Sequence, residues 1–241
     1  MSPPVILAEP ERPFWGFAEL LLIAALFIPA VLAGAYAVRE ASPYLHIDPD
    51  LGFPLLIAEF IGYGIVFIAL RVLFARHDRP LFESLGWIPQ PFNPLHLAVL
   101  GVMLAMVVIL LGNLMGIPDV KTPFDRLVSD ALSRITIAVF GVTLGPIIEE
   151  LLFRGFMQPV LVGSFGALPG ILGTSMVFGG LHLAQNGFQW QSGVLITLVG
   201  FVLGVVRHVS GSTRASAITH ISYNSLPFLV LLISGGQANH S

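Results

Sequence analysis

Apolar residues are gathered into seven long segments, and polar or proline-rich connectors separate the first four of them. The segments run over Trp15–Val38, Gly52–Ala75, Pro94–Gly116, Leu127–Gly163, Pro169–Ala184, Gln191–Val206 and Arg214–Ile233. A helix rises ~1.5 Å per residue, so about 20 apolar residues cross the ~30 Å hydrocarbon core of a bilayer. The pattern predicts an all-α protein, a polytopic membrane helix bundle of about seven to eight transmembrane helices.

The fourth segment is too long for one simple span, because it would reach ~55 Å as a helix. Pro146 lies inside it and cannot donate a hydrogen bond to the carbonyl of Val142. We therefore expect a kink one turn before Glu149, which leaves room for an eighth span. We divide the chain into N-terminal transmembrane helices at 1–126 and a helical core at 127–241, within one integral membrane unit.

The composition agrees with a membrane protein. The chain is 55% hydrophobic and only 10% charged, whereas a soluble domain has about 25% charged residues. A net charge of −3 provides no basic surface for nucleic acid. The absence of cysteine excludes disulfides, iron–sulfur clusters and thiolate chemistry. The lipid bilayer is therefore the first expected partner, and no nucleic acid is expected.

Arginines near two connectors suggest the orientation. The second connector is flanked by Arg71, Arg76 and Arg79, and the sixth by Arg207 and Arg214. Both connectors are cytoplasmic if the N-terminus is cytoplasmic, as the positive-inside tendency favours. We expect an integral protein of the bacterial cytoplasmic membrane whose candidate site opens toward the cytoplasmic half.

Three charged residues stand close together in the fourth segment, in Glu149-Glu150-Leu151-Leu152-Phe153-Arg154. Carboxylates at membrane depth are costly and usually face a polar cavity where they have a function. On a helix Glu150 lies over Arg154, in the favourable order for an ion pair. Glu149 is turned ~100° away, is less neutralised and is suited to act as a general base. A purely structural buried ion network is the alternative.

Two later segments carry polar residues at the same spacing of four. Phe178 and His182 form one pair, and His220 and Asn224 form the other. Residues four apart share a helix face, so the side chains of each pair point the same way. His182 alone could be an interfacial or packing residue, and the second pair could hydrogen-bond between helices. Helix lengths allow these side chains to meet Glu149 inside the bundle.

The three motifs, in this order on successive apolar segments, resemble those of the CAAX protease and bacteriocin-processing family. This is the family of the Ras-converting type prenyl-protein endopeptidases, also called intramembrane glutamic proteases. The resemblance covers about Ile135–Leu232, and the first three segments carry no motif of the family. It implies that 127–241 is a catalytic core similar to CAAX proteases.

The resemblance also implies a role for each matching residue. Glu149 matches the catalytic glutamate, and His182 matches the histidine that helps to hold and activate the water. His220 and Asn224 match the pair that binds the oxyanion. Glu150 and Arg154 match the supporting pair of the first motif.

The sequence thus predicts an intramembrane endopeptidase that hydrolyses a membrane-associated protein or peptide. The family's best-known substrate is a prenylated C-terminal peptide. The predicted mechanism uses no cofactor and no metal. A zinc hydrolase is one alternative, because Glu149, His182 and His220 could supply a His₂Glu ligand set, although no HExxH motif is present. A non-catalytic scaffold or immunity protein that binds membrane partners through the same cavity is the other.

Two further features have simpler explanations. Glu59 lies deep in the second segment, and we expect it to have a hydrogen-bonded partner rather than a function. Gly200 and Gly204 form a GxxxG spacing, which allows close helix approach. We expect this spacing to serve packing within one chain rather than a dimer interface.

Overall fold

The computed structural model of the protein describes residues 13–117 and 121–237, without the side chains of 234–237. The described residues form helices and connectors, with no strand among them. The α-helices are α1 (Phe17–Leu45), α2 (Gly52–Ala75), α3 (Leu81–Ser84), α4 (Pro94–Leu114), α5 (Pro123–Leu127), α6 (Ala131–Gly141), α7 (Leu144–Glu150), α8 (Gln158–Phe165), α9 (Ala167–His182), α10 (Trp190–Ser210) and α11 (Thr213–Gln237). A π-helix (Leu151–Met157) joins α7 to α8 without a break. The predicted all-α bundle is confirmed.

The number of full spans is smaller than the number of apolar segments. Five helices (α1, α2, α4, α10 and α11) are long and apolar enough to cross a bilayer, and α6 with α7–α8 would make a sixth as a bent pair. The 16 residues of α9 reach only ~24 Å, short of the ~30 Å core. All seven apolar segments are helical, and the predicted count of seven to eight spans is approximate.

The fourth apolar segment bends just before Pro146. The chain turns by 44° between Ala131–Gly141 and Leu144–Phe165. Because α7 begins at Leu144, Pro146 lies in its first turn, where a missing backbone N–H costs no helical hydrogen bond. The predicted kink is therefore present, and it directs α7 into the bundle one turn before Glu149.

The first predicted connector is shorter than expected. The apolar segments place the first connector between Val38 and Gly52, but α1 continues through the first part of it to Leu45. The helix stops where His46 adopts a left-handed conformation with φ of 54°. Polar residues at Arg39 and Glu40 lie on the last turns of a long helix, where they reach the interface beyond the apolar core.

Helices from both halves of the chain share one apolar core. Trp15, Phe74 and Phe156 are buried together in it. The Trp15 indole N–H donates to the carbonyl of Phe156 at 3.0 Å, and the two rings stack with centroids 5.6 Å apart. Large apolar side chains such as Leu21 and Leu32 remain more than 60% exposed on the outside of the bundle, as expected for a surface that contacts lipid.

The connectors collect at two opposite ends of the bundle. At the first end, the backbone N–H and hydroxyl of Thr213 donate to the carbonyls of Gly86 and Leu85, at 2.8 and 2.6 Å. We call this the arginine end, because the connectors flanked by the arginines meet there. At the second end, which we call the α5 end, the backbone N–H of Phe124 donates to the carbonyl of Gln185 at 3.3 Å.

The division of the chain at residue 126 stays a prediction. Residues 1–12, 118–120 and 238–241 of the two proposed parts lie outside the described residues.

Candidate active site

The charged residues of the first motif occupy two different environments. Glu150 and Arg154 are both fully buried, and the Nη1 atom of Arg154 donates to Oε1 of Glu150 at 2.9 Å. The side chain of Glu149 remains 24% exposed. The π-helix begins directly after this pair of glutamates, and π-helical turns often lie at functional sites.

Arg154 is also held by two neighbouring helices. Its Nη2 atom donates to the carbonyl of Gly200 at 2.9 Å, and its guanidinium lies 4.5 Å from the centre of the Phe178 ring. One turn further, Nε2 of Gln158 donates to the carbonyl of Gly204 at 2.9 Å. The two glycines therefore allow a close approach of α10 within one chain, as the GxxxG spacing predicted.

Glu149 lies between the two histidines of the later motifs. Its Oε1 atom is 3.8 Å from Nε2 of His182, and its Oε2 atom is 3.7 Å from Nε2 of His220. Both distances exceed that of a direct hydrogen bond, which has donor and acceptor about 2.7–3.2 Å apart. Polar groups at this separation can share a water molecule. The structure brings together three of the four residues predicted to be catalytic.

The other ring nitrogen of each histidine fixes its orientation. Nδ1 of His182 lies 2.8 Å from the carbonyl oxygen of Phe178, and Nδ1 of His220 lies 2.9 Å from Oε1 of Glu150. Both partners can only accept, so each Nδ1 carries the proton. Each Nε2 therefore faces Glu149, as an acceptor in a neutral ring or as a donor in a protonated one.

Asn224 is anchored at the bend before α7. Its Nδ2 atom donates to the carbonyl of Gly141 at 2.7 Å. Gly141 is the last residue of α6, where carbonyls lack partners inside the helix. The amide group of Asn224 has two N–H bonds, so one N–H remains available to the cavity after this contact.

All four residues predicted to be catalytic line one cavity of about 360 Å³. Its volume is at the lower end of the range of small-ligand sites, ~300–1,000 Å³. Apolar side chains such as Phe140 and Val199 make up much of its wall. Glu150 and Arg154 are not part of the cavity lining, and Glu150 holds His220 from behind it.

Several residues of this cavity were not singled out as site residues by the sequence analysis. Glu59 and Tyr63 of α2 and Tyr223 of α11 line it together with Glu149. The expectation for Glu59 was wrong, because its carboxylate makes no hydrogen bond within the part of the chain that the structure describes. The spacing of four between Glu59 and Tyr63 indicates that both lie on one helix face. This spacing does not reveal which other helices that face contacts.

No group of three or more His, Cys, Asp and Glu side chains among the described residues is arranged as a metal site. Glu149, His182 and His220 nevertheless lie close together, with distances of 3.7–3.8 Å between the histidine Nε2 and glutamate oxygen atoms.

The outer part of the cavity lies at the α5 end of the bundle. Phe124, Leu127, Gln185 and Asn186 line it there. The start of α1 lies at the opposite, arginine end, where Trp15 packs on Phe74 near the end of α2. A cytoplasmic N-terminus would therefore turn this part of the cavity away from the cytoplasm, so the two parts of the predicted orientation conflict. The orientation stays a prediction.

Part of the chain matches a known protein family. Residues 131–226 match the family model described as Rce1-like, Type II CAAX prenyl endopeptidase Rce1-like. The matched range begins at α6 and includes all six predicted site residues, from Glu149 to Asn224. Comparisons with curated proteins and with solved structures give no match.

Proposed function

We propose that the protein is a membrane protease and that it cleaves peptide bonds with a water molecule activated by Glu149 and His182. The match of residues 131–226 to the Rce1-like family of type II CAAX prenyl endopeptidases supports this proposal. The observation that carries this proposal is the position of Glu149. Its carboxylate faces a cavity, and Nε2 atoms of two histidines lie within 3.8 Å of its oxygens.

Glu149 is the general base of the proposed reaction. A water bound between Glu149 and Nε2 of His182 loses one proton to the carboxylate as its oxygen attacks the peptide carbonyl. The hydrogen bond from Nδ1 of His182 to Phe178 keeps the Nε2 lone pair directed at this water. Because the attacking group is water, no covalent enzyme intermediate forms.

His220 and Asn224 stabilise the oxyanion that forms on the carbonyl oxygen. His220 donates from Nε2 when its ring is protonated, and the contact of Nδ1 with Oε1 of Glu150 at 2.9 Å holds the ring in place. Asn224 donates with the N–H that is not bound to Gly141. Donors that are already fixed in place stabilise an oxyanion most effectively, because they need no reorganisation during the reaction.

Collapse of the tetrahedral intermediate completes the reaction. The carbon–nitrogen bond breaks, and the proton held by Glu149 passes to the leaving amine. The second product is a carboxylic acid, whose proton is lost to solvent. Glu149 returns to its ionised state, so the cycle leaves the protein unchanged.

The substrate is a peptide or protein associated with the membrane. The family description names prenylated substrates, and a prenylated C-terminal peptide is one proposed substrate class. An unlipidated peptide precursor or membrane protein is the other. The cavity accepts only a short stretch of chain at a time because its volume is about 360 Å³.

A zinc hydrolase is the second candidate function. Each of the two histidines donates its Nδ1 proton to an oxygen atom and presents Nε2 to Glu149, and histidines that bind metals commonly have such a second contact. In this reading zinc rather than Glu149 would activate the water. Metal content and the effect of chelation on activity separate the two candidates.

The proposal can be tested in cells that produce either the intact protein or Glu149→Gln. Their membrane peptides are compared by mass spectrometry. We expect peptides that appear only with the intact protein, and their ends identify the cleaved bonds. Identical peptide sets from the two cell populations would favour a non-catalytic scaffold or immunity protein.

A further inference from the structure

One face of α2 forms part of the cavity wall. Gly52, Leu55, Leu56, Glu59 and Tyr63 line the cavity, and spacings of three and four residues place them on one side of a helix. This helix precedes residues 131–226 and so lies outside the range matched by the family. The wall formed by α2 therefore adds chemistry to the site that the family motifs do not describe.

The charges that face the cavity are unbalanced. Glu59 and Glu149 both line it, the Nε2 atoms of His182 and His220 lie beside Glu149, and no lysine or arginine side chain lines it among the described residues. Glu150, behind the wall, is compensated by Arg154 and by His220. Glu59 has neither an ion pair nor a hydrogen bond with any described residue. Since a carboxylate without a partner is costly at membrane depth, this cavity favours a cation from outside the chain.

We infer that Glu59 is a specificity-determining residue that binds a cationic substrate side chain, that of lysine or arginine, close to the bond that is cleaved. The inference rests on the proposed function and names its substrate class. The same small cavity holds Glu149 and Glu59, so the cation lies within a short distance of the scissile bond along the substrate.

The arrangement also disfavours anionic substrates. An aspartate or glutamate side chain near Glu59 would face a second carboxylate, and the described lining contains no lysine or arginine to neutralise it; the histidines of the lining lie beside Glu149. Like charges that meet across an interface weaken binding and so disfavour the wrong partner. We therefore expect cleavage of bonds beside basic residues rather than beside acidic ones.

The test uses the full-length protein in liposomes and a set of short peptides, acetylated at one end and amidated at the other. Each peptide consists of leucine and alanine with one variable position, which is lysine, its uncharged counterpart norleucine, or glutamate. The variable residue is moved along the peptide, and mass spectrometry identifies the cleaved bond. The best lysine peptide should have a kcat/KM about tenfold to a hundredfold above that of its norleucine counterpart.

Two variants of Glu59 and one control connect this preference to the residue. Glu59→Gln has nearly the same shape and should remove the preference for lysine, so that its kcat/KM values for the lysine and norleucine peptides become equal within about twofold. Glu59→Lys should reverse the preference toward glutamate. Glu40→Gln removes an exposed carboxylate from α1 outside the cavity and should leave the lysine preference unchanged.

Different results would overturn the inference and the proposed function. Equal cleavage of lysine and norleucine peptides by the intact protein, or a lysine preference that survives Glu59→Gln, would overturn the role of Glu59 and leave the peptidase function standing. Cleavage of no peptide would count against the proposed function. The binding of fluorescent peptides to Glu149→Gln would then test the inference about Glu59. If Glu149→Gln binds the lysine peptide about tenfold more tightly than the norleucine peptide, and the added substitution Glu59→Gln removes this difference, the inference is supported. Equal binding of the two peptides to Glu149→Gln would refute it.

Discussion

Replacement of Glu150 by glutamine should destabilise the bundle by about 3–5 kcal/mol, the usual result of removing one partner from a buried ion pair. Arg154 is fully buried and its Nη1 atom donates to Glu150 at 2.9 Å. The carbonyl of Gly200 and the ring of Phe178 remain as its neighbours in the variant. Neither group carries a negative charge, so the guanidinium loses the carboxylate that it contacts directly.

The expected loss can be measured as a shift in thermal unfolding in detergent. For a chain of this size each kcal/mol lowers Tm by about 2–4 °C, so the shift should be about 6–20 °C. Tryptophan fluorescence reports the transition, because Trp15 is buried against Phe156. Glu40→Gln removes an exposed carboxylate from α1 and should shift Tm by less than about 2 °C.

A double variant distinguishes the ion pair from a general effect of mutation. Glu150→Gln combined with Arg154→Met removes both charges and should recover much of the lost stability, since apolar residues often replace a buried ion pair at little cost. A Tm for Glu150→Gln that matches the control, or a double variant with a lower Tm than the single one, would refute this reasoning.

The remaining predictions concern the chemistry. Activity should survive prolonged chelation, and pure protein should contain well under one zinc per chain. The metallohydrolase would be favoured instead if the protein contained one zinc per chain, lost its activity when the zinc was removed and regained it when zinc was returned. Asn224→Ala should lower kcat by about 10²–10³, or ~2.7–4 kcal/mol, with a much smaller change in KM, because an oxyanion contact strengthens in the transition state. A higher KM with unchanged kcat would assign Asn224 to substrate binding or to its contact with Gly141.

The helices and the first motif could be predicted because their causes are local. Long apolar runs must be helical at membrane depth, where each backbone polar group needs a partner within the segment. The spacing of four predicted the ion pair of Glu150 with Arg154, and it forms even though Arg154 lies in a π-helix. The π-helix itself could not be predicted, because the same residue spacing fits an ordinary α-helix.

Contacts between distant segments were beyond such reasoning. His220 contacts Glu150 across 70 positions of the chain, and Asn224 contacts Gly141 across 83. Both depend on how α11 packs against the bend between α6 and α7. The place of Glu59 in the cavity wall likewise depends on the packing of α2, which no motif specifies. Helix α1 continues beyond its predicted end at Val38 to Leu45, because polar residues at a membrane interface can continue a helix as well as end it.

The most direct test of the central claim is the rate at which purified Glu149→Gln cleaves a peptide that the intact protein is known to cut. Both proteins are placed in liposomes, and equal Tm values establish that both are folded. Glutamine keeps the size of the side chain but cannot take a proton from water. We predict cleavage by the intact protein and none above background by Glu149→Gln. Cleavage by Glu149→Gln at the rate of the intact protein would contradict the assignment of Glu149 as the general base.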